Sequence, residues 1–73
     1  MSKADEMFEK IKYKLIYQDK NSVCYRNNRN SHIYFRNDDK TIDLATNNIN
    51  NKILTLEQLQ AINEKVKELG WNE

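Results

Sequence analysis

Apolar residues at helical spacing are clearest near the end of the chain, between Thr55 and Trp71. They recur there every three or four positions, which predicts a helix with one apolar stripe turned towards a core. The stripe consists of Leu56, Leu59, Ile62, Val66 and Leu69. Each of these side chains would contribute roughly 1.5–3 kcal/mol on burial, so we expect the whole fold to depend on this helix.

Both ends of this helix carry recognisable signals. Thr55 and Gln58 are three residues apart and predict a capping box, in which each side chain accepts from the other's backbone N–H. Gly70 lies where a left-handed residue is needed to end the helix, and Trp71 is then placed to fold back on Val66. We therefore interpret Trp71 as a lid over the core, in preference to an exposed ring that stacks on a ligand.

A shorter helix is predicted at the start of the chain. Ser2 is a suitable N-cap, and Asp5 in the first turn favours the helix dipole. Apolar residues at positions i, i+3, i+4 and i+7 form one stripe, which consists of Ala4, Met7, Phe8 and Ile11. A helix of about ten residues is too short to be stable alone in water, so we expect it to dock on a core.

Four stretches between these helices alternate apolar and polar residues with the period of a β-strand. Polar segments at 19–22, 27–30 and 37–40 separate them, and connections this short predict an antiparallel meander. In the first stretch Tyr13, Leu15 and Tyr17 alternate with Lys12, Lys14 and Ile16. The face turned towards the helices would carry Leu15, Val23, Tyr25, Ile33, Phe35, Ile42 and Leu44.

A two-layer α+β fold satisfies both helical stripes, because a sheet with one apolar face is the partner that each of them lacks. We predict the order α-β-β-β-β-α, with a three- to four-stranded antiparallel meander and both terminal helices packed on one face. Residues 1–73 would form one domain. Ile49 would plug the core from a polar loop at 47–52, and residues 53–54 would give a short extended lead into the last helix.

Composition narrows the class of protein. The chain has 73 residues and one cysteine, so no intramolecular disulfide is expected. No apolar run resembles a signal peptide or a membrane span, and we predict a cytoplasmic protein without membrane association. Net charge is +1, but residues 1–36 hold eight Lys or Arg and four Asp or Glu, whereas residues 37–73 hold four and seven. The balances of +4 and −3 indicate either a basic and an acidic face or two halves that neutralise each other when folded.

Residues with catalytic chemistry are few. If the second and third strands pair around Asn28, then Cys24 lies opposite His32 on the solvent side. A thiolate and an imidazole can form a nucleophile pair, but two strand residues without a cleft or an oxyanion donor favour an ordinary surface pair. One Cys and one His are half of a metal site, and no phosphate-binding glycine motif is present. We predict no enzyme activity, no catalytic residues, no metal and no cofactor.

The uncovered face of the sheet is the predicted interaction surface. It would carry Arg26, His32, Tyr34 and Arg36, with Ile16 as a further apolar contact. Tyrosine and arginine are enriched at protein interfaces, so an unknown protein partner is the first hypothesis, for a monomer or a homodimer. Basic residues interleaved with aromatics also occur in single-strand nucleic-acid binders, so nucleic acid is the alternative.

The two ends of the chain carry a resemblance. The opening MSKADEMFEKIKYKLI and the close LTLEQLQAINEKVKELGW resemble small uncharacterised proteins of low-GC Gram-positive bacteria and their phages. In those proteins an ADEMFEKLGY-like opening places a Leu-Gly pair where Ile11 and Lys12 stand here. The resemblance implies an accessory protein of a phage or mobile element, and it implies no catalytic residue, cofactor or ligand.

Overall fold

The computed structural model describes residues 2–45 and 54–71. It contains one open antiparallel sheet of order β1-β2-β3-β4 and two helices, which confirms the predicted α+β fold. The elements are α1 (Lys3–Lys10), β1 (Tyr13–Gln18), β2 (Ser22–Asn27), β3 (His32–Arg36), β4 (Thr41–Ala45) and α2 (Leu56–Glu68). The predicted Ile49 plug and the Ile53 part of the lead into α2 lie outside the described residues.

The signals at the ends of α2 are confirmed. Thr55 and Gln58 form the reciprocal capping box, with the Gln58 N–H 3.1 Å from the Thr55 hydroxyl. At the other end Gly70 has φ of 76°, and its N–H donates to the Lys67 carbonyl. The Trp71 N–H then donates to the Val66 carbonyl at 3.2 Å. These two bonds make a Schellman motif, which explains why the only glycine of the chain lies here.

The buried face of α2 differs from the predicted stripe. Leu56 and Leu59 remain 64% and 50% exposed, whereas Ala61 and Lys65 are buried. Ile62 is buried as predicted, and Val66 and Leu69 pack against the core as partly buried residues. The helix packs against α1 as well as against the core residues of the sheet, so its buried face is turned towards Ala61 and Lys65. The small side chain of Ala61 permits close packing there.

The core lies between the helices and β2 and β3. Phe8 of α1 stacks on Tyr25 with ring centroids 3.9 Å apart, and Phe35 meets both rings edge-on. The edge strands contribute less than predicted, since Leu15 and Leu44 are 39% and 55% exposed although both lie on the face that bears the core. Among residues 2–45 and 54–71, the two helices therefore bury β2 and β3 more completely than the edge strands, in which Tyr13 is the buried residue.

A buried polar cluster joins α1, α2 and β2. The Tyr25 hydroxyl donates to the Asp5 carboxylate, and the Lys65 ammonium lies 5.9 Å from the centre of the Tyr25 ring. Lys65 pairs with Glu68 at 3.7 Å, and Glu68 accepts the N–H of Ala4 at 2.9 Å. Glu68 therefore serves as a tertiary cap for α1, because the Ala4 N–H has no partner within its own helix.

A candidate interaction surface on the open sheet face

The face of the sheet opposite the helices is termed the outer face. Both helices pack on the other side, and no helix or strand of residues 2–45 and 54–71 lies over this one. All four predicted surface residues, Arg26, His32, Tyr34 and Arg36, lie on it, because their strand partners place them there.

Strand pairing arranges the outer face in rows. A basic row crosses the sheet through Lys14, Arg26 and His32, since Lys14 pairs with Arg26 and Arg26 with His32. The neighbouring tyrosine row runs through Tyr17, Cys24 and Tyr34 and ends at Asp43. Two tyrosines thus flank one cysteine, next to a line of cationic or titratable side chains.

The predicted pairing of Cys24 with His32 is wrong. Cys24 lies opposite Tyr34, and His32 lies opposite Arg26, a register two residues away from the expected one. The turn is centred on Arg29, one residue later than expected, because the Asn27 N–H donates to the Ser31 carbonyl and the Asn27 side chain accepts the N–H groups of Arg29 and Ser31. This side-chain bonding stabilises a loop that lies one residue further along the chain, and the displacement changes every pair in the hairpin.

Cys24 is also less available than a surface thiol. Only 5% of the residue is exposed, because tyrosines flank it on both neighbouring strands. Burial raises the pKa of the Cys24 thiol, and the nearby charge of Arg26 offsets only part of that effect. A thiol in this state is a poor nucleophile at neutral pH.

Tyr17 reaches the outer face through a β-bulge in β1. Leu15 pairs with Tyr25, but Tyr17 pairs with Cys24, so Ile16 is the extra residue. Strict alternation after Leu15 would turn Tyr17 towards the helices, and the bulge reverses that alternation. No glycine marks the position, and a bulge at a non-glycine residue leaves no signal in the pattern.

Charged neighbours hold the two tyrosines. The Tyr17 hydroxyl donates to Asp19, a bond that raises the pKa of Tyr17 and lowers the pKa of Asp19. On the other side the Arg36 guanidinium lies 5.6 Å from the centre of the Tyr34 ring and 2.6 Å from the Asp43 carboxylate. The aromatic side chains of the row are therefore prearranged, and the charge of Arg36 is locally neutralised.

The charges of Lys14 and Arg26, unlike that of Arg36, are not neutralised by a neighbouring carboxylate of the described residues. Neither has a carboxylate partner within ion-pair distance among the residues that the structure describes, and both are exposed. They face a groove at the end of the sheet, beside the turn that joins α1 to β1. Positive charge on the outer face is thus concentrated at this end, away from the Arg36–Asp43 pair.

Within the described ranges, no group of three or more His, Cys, Asp and Glu side chains is arranged to hold a metal ion. None of the helices formed by residues 2–45 and 54–71 has the length and apolar character needed to cross a membrane. The fold and surface define a small α+β protein with one open antiparallel sheet. No protein-family model, curated protein or solved structure matches the chain.

Proposed function

We propose that this protein is a non-enzymatic interaction module that binds a partner protein on its outer face. The observation that carries the proposal is the tyrosine row, in which Tyr17 and Tyr34 are held in place on a sheet face that no other described element covers. Tyrosine combines an apolar ring with a polar hydroxyl, which suits a surface that is hydrated when free and buried when bound.

Rigidity of the row favours binding. Association costs free energy when mobile side chains become fixed, at about 0.5–1.5 kcal/mol for each side chain. Tyr17 is already bonded to Asp19, and Tyr34 is already stacked with Arg36. Much of this ordering is therefore complete before a partner arrives.

Capture from a native lysate with matched variants tests the proposal. Immobilised wild-type protein should retain a partner that Tyr34→Ala and Arg36→Glu lose, while Gln60→Ala on the exposed side of α2 retains it. Circular dichroism and thermal unfolding would verify that all variants fold. Retention by both outer-face variants would show that this face is the wrong surface.

Single-stranded nucleic acid is a second candidate, favoured by the basic row beside the tyrosines. Two carboxylates on or next to the same face, Asp19 and Asp43, and a net charge of only +1 count against it. A fluorescence titration against single-stranded and duplex oligomers over a range of salt concentrations decides between the candidates. Absence of binding at low salt would exclude nucleic acid.

The phage or mobile-element origin implied by the two chain ends remains a prediction. Its support is the resemblance of the opening and closing segments, which form the two helices and their caps. An accessory protein that binds a host protein would need a compact scaffold and one free face, which this fold supplies. Recovery of a host protein in the capture experiment, with loss on Tyr34→Ala, would support this origin.

A further inference from the structure

A groove lies where the turn between α1 and β1 approaches the end of the β2–β3 hairpin. Its wall includes Glu9, Lys12, Lys14, Ile16, Arg26 and Asn28. The basic row supplies Lys14 and Arg26, and the bulge of β1 supplies Ile16, which remains 47% exposed. The groove therefore adjoins the outer face and continues it towards α1.

Charge is unbalanced in this groove. Lys12, Lys14 and Arg26 face one carboxylate, that of Glu9. None of the three cations has an ion-pair partner within 4 Å among the described residues. Three neighbouring cations repel one another, so an anionic ligand that neutralises them is favoured.

Lys12 has an unusual backbone conformation. Its φ is 72°, in the left-handed region, and its N–H donates to the Glu9 carbonyl as α1 ends. A residue with a Cβ atom is strained in this region, and glycine is not. The left-handed residue ends α1 and places Lys12 in the turn that forms one wall of the groove.

The lining favours a peptide over a nucleic acid. A phosphodiester backbone requires a long continuous basic track, whereas this groove combines three cations with a carboxylate, an exposed isoleucine and the amide of Asn28. A short peptide presents carboxylates, apolar side chains and backbone amides within a few residues. Each feature of the wall then has a complementary group.

We propose that this groove binds an acidic segment of the partner protein, with Asp or Glu carboxylates placed between Lys12, Lys14 and Arg26 and an apolar side chain on Ile16. The inference rests on the proposed function, because it specifies the chemistry of the partner that the outer face binds. In this arrangement the three cations recognise the acidic segment, and the tyrosine row supplies the rest of the contact area with the partner.

Fluorescence anisotropy with labelled peptides tests this inference. The probes are a peptide of alternating Glu and Leu, the same peptide with Gln in place of Glu, and oligothymidine. We expect the Glu peptide to bind best, with an affinity that falls as salt is added. Lys14→Glu and Arg26→Glu should each weaken it about tenfold, since each replaces an attraction with a repulsion.

The control variant is Lys20→Glu, which makes the same change in net charge in the turn at the opposite end of the sheet. It should leave the affinity for the Glu peptide within about twofold of wild type, because the charges are separated beyond a Debye length. Equal weakening by Lys20→Glu, or equal binding of the Gln peptide, would overturn the inference. Tighter binding of oligothymidine, lost in the groove variants, would also overturn it and favour nucleic acid.

The lysate experiment separates this inference from the proposed function. If the captured partner is lost on Tyr34→Ala but retained by Lys14→Glu and Arg26→Glu, the outer face binds a partner and the groove inference is wrong. If the groove variants lose the partner while Lys20→Glu retains it, the groove is part of the interface.

Discussion

The indole N–H of Trp71 donates to the side-chain oxygen of Asn37 at 2.9 Å, which joins the end of α2 to the turn after β3. The other amide atom of Asn37 donates to the Lys20 carbonyl at 3.0 Å, and its backbone N–H donates to the Asn21 carbonyl at 2.9 Å. One asparagine therefore connects two turns of the sheet with the C-terminal lid. Trp71 completes the core through edge-on contact with Phe35.

Replacement of Asn37 tests this connection. Asn37→Ala should lower the free energy of unfolding by about 1–3 kcal/mol, because both side-chain bonds are lost. Asn28→Ala, at an exposed position in the turn between β2 and β3, is the control and should change stability by less than about 0.5 kcal/mol. Urea denaturation measures both, and equal effects would show that the Asn37 bonds contribute nothing.

We expect replacement of Lys65 and replacement of Glu68 to have different effects on stability, although the two residues form one ion pair. Lys65→Met should cost less than about 1 kcal/mol or stabilise the protein, because a methionine fills the site without burying a charge. Glu68→Gln should cost about 1–3 kcal/mol, because Lys65 is only 4% exposed and would lose its counter-charge. Thermal unfolding gives both values, and a greater loss for Lys65→Met would contradict this assignment.

We expect Tyr25 to make the stability of the protein depend on pH in the alkaline range. Burial, followed by the hydrogen bond to Asp5, raises the pKa of Tyr25 above its ordinary value of 10.0. The folded state therefore favours the neutral phenol. This stabilisation is fully present below the unfolded pKa and is lost as pH rises above about 10. Tyr25→Phe should flatten the alkaline loss of stability, and an unchanged profile in urea denaturation would exclude Tyr25 as its cause.

Two lysines in left-handed conformation allow a matched comparison of strain and binding. Lys12 and Lys40 have φ of 72° and 56°, so glycine at either position should raise stability by up to about 1 kcal/mol. Only Lys12→Gly should also weaken the Glu–Leu peptide, because Lys40 lies in the turn between β3 and β4. Unfolding and anisotropy measurements on the same samples check both parts. Equal peptide affinity for the two variants would remove Lys12 from the groove.

The burial of Cys24 predicts low reactivity. Its thiol should react with a mild alkylating reagent far more slowly than free cysteine at neutral pH, because the pKa is raised and the flanking tyrosines restrict access. Tyr34→Ala should accelerate the reaction by removing one of these neighbours. Mass spectrometry follows the modification. Rapid labelling of the wild-type protein would instead restore the hypothesis of a reactive thiol.

Local signals were reliable wherever one segment decides its own conformation. The capping box at Thr55, the Ser2 cap and the Gly70 stop all appear as predicted, because each depends on residues three or four apart. The alternation in β2 and β3 was equally reliable, since Val23, Tyr25, Ile33 and Phe35 form the buried face of the central strands.

The surface was predicted in composition but not in arrangement. Arg26, His32, Tyr34 and Arg36 share the outer face because period-2 alternation fixes the side of a strand on which each residue lies. Their neighbours depend on register, and a turn centred on Arg29 instead of Asn28 places Cys24 opposite Tyr34 instead of His32. The bulge at Ile16 brought Tyr17 into the row in the same way.

The sequence alone determined the element order, the helix boundaries and the residues of the central strands. Periodic spacing and helix caps depend only on residues that are close together in the sequence. Tertiary structure decided which side of α2 is buried, that Lys65 lies in the interior, and how far the helices cover the sheet. Those outcomes depend on contacts between segments distant in sequence, as when Glu68 reaches the Ala4 N–H. A periodic pattern shows that a face will be buried, but the packed partner determines its width and direction.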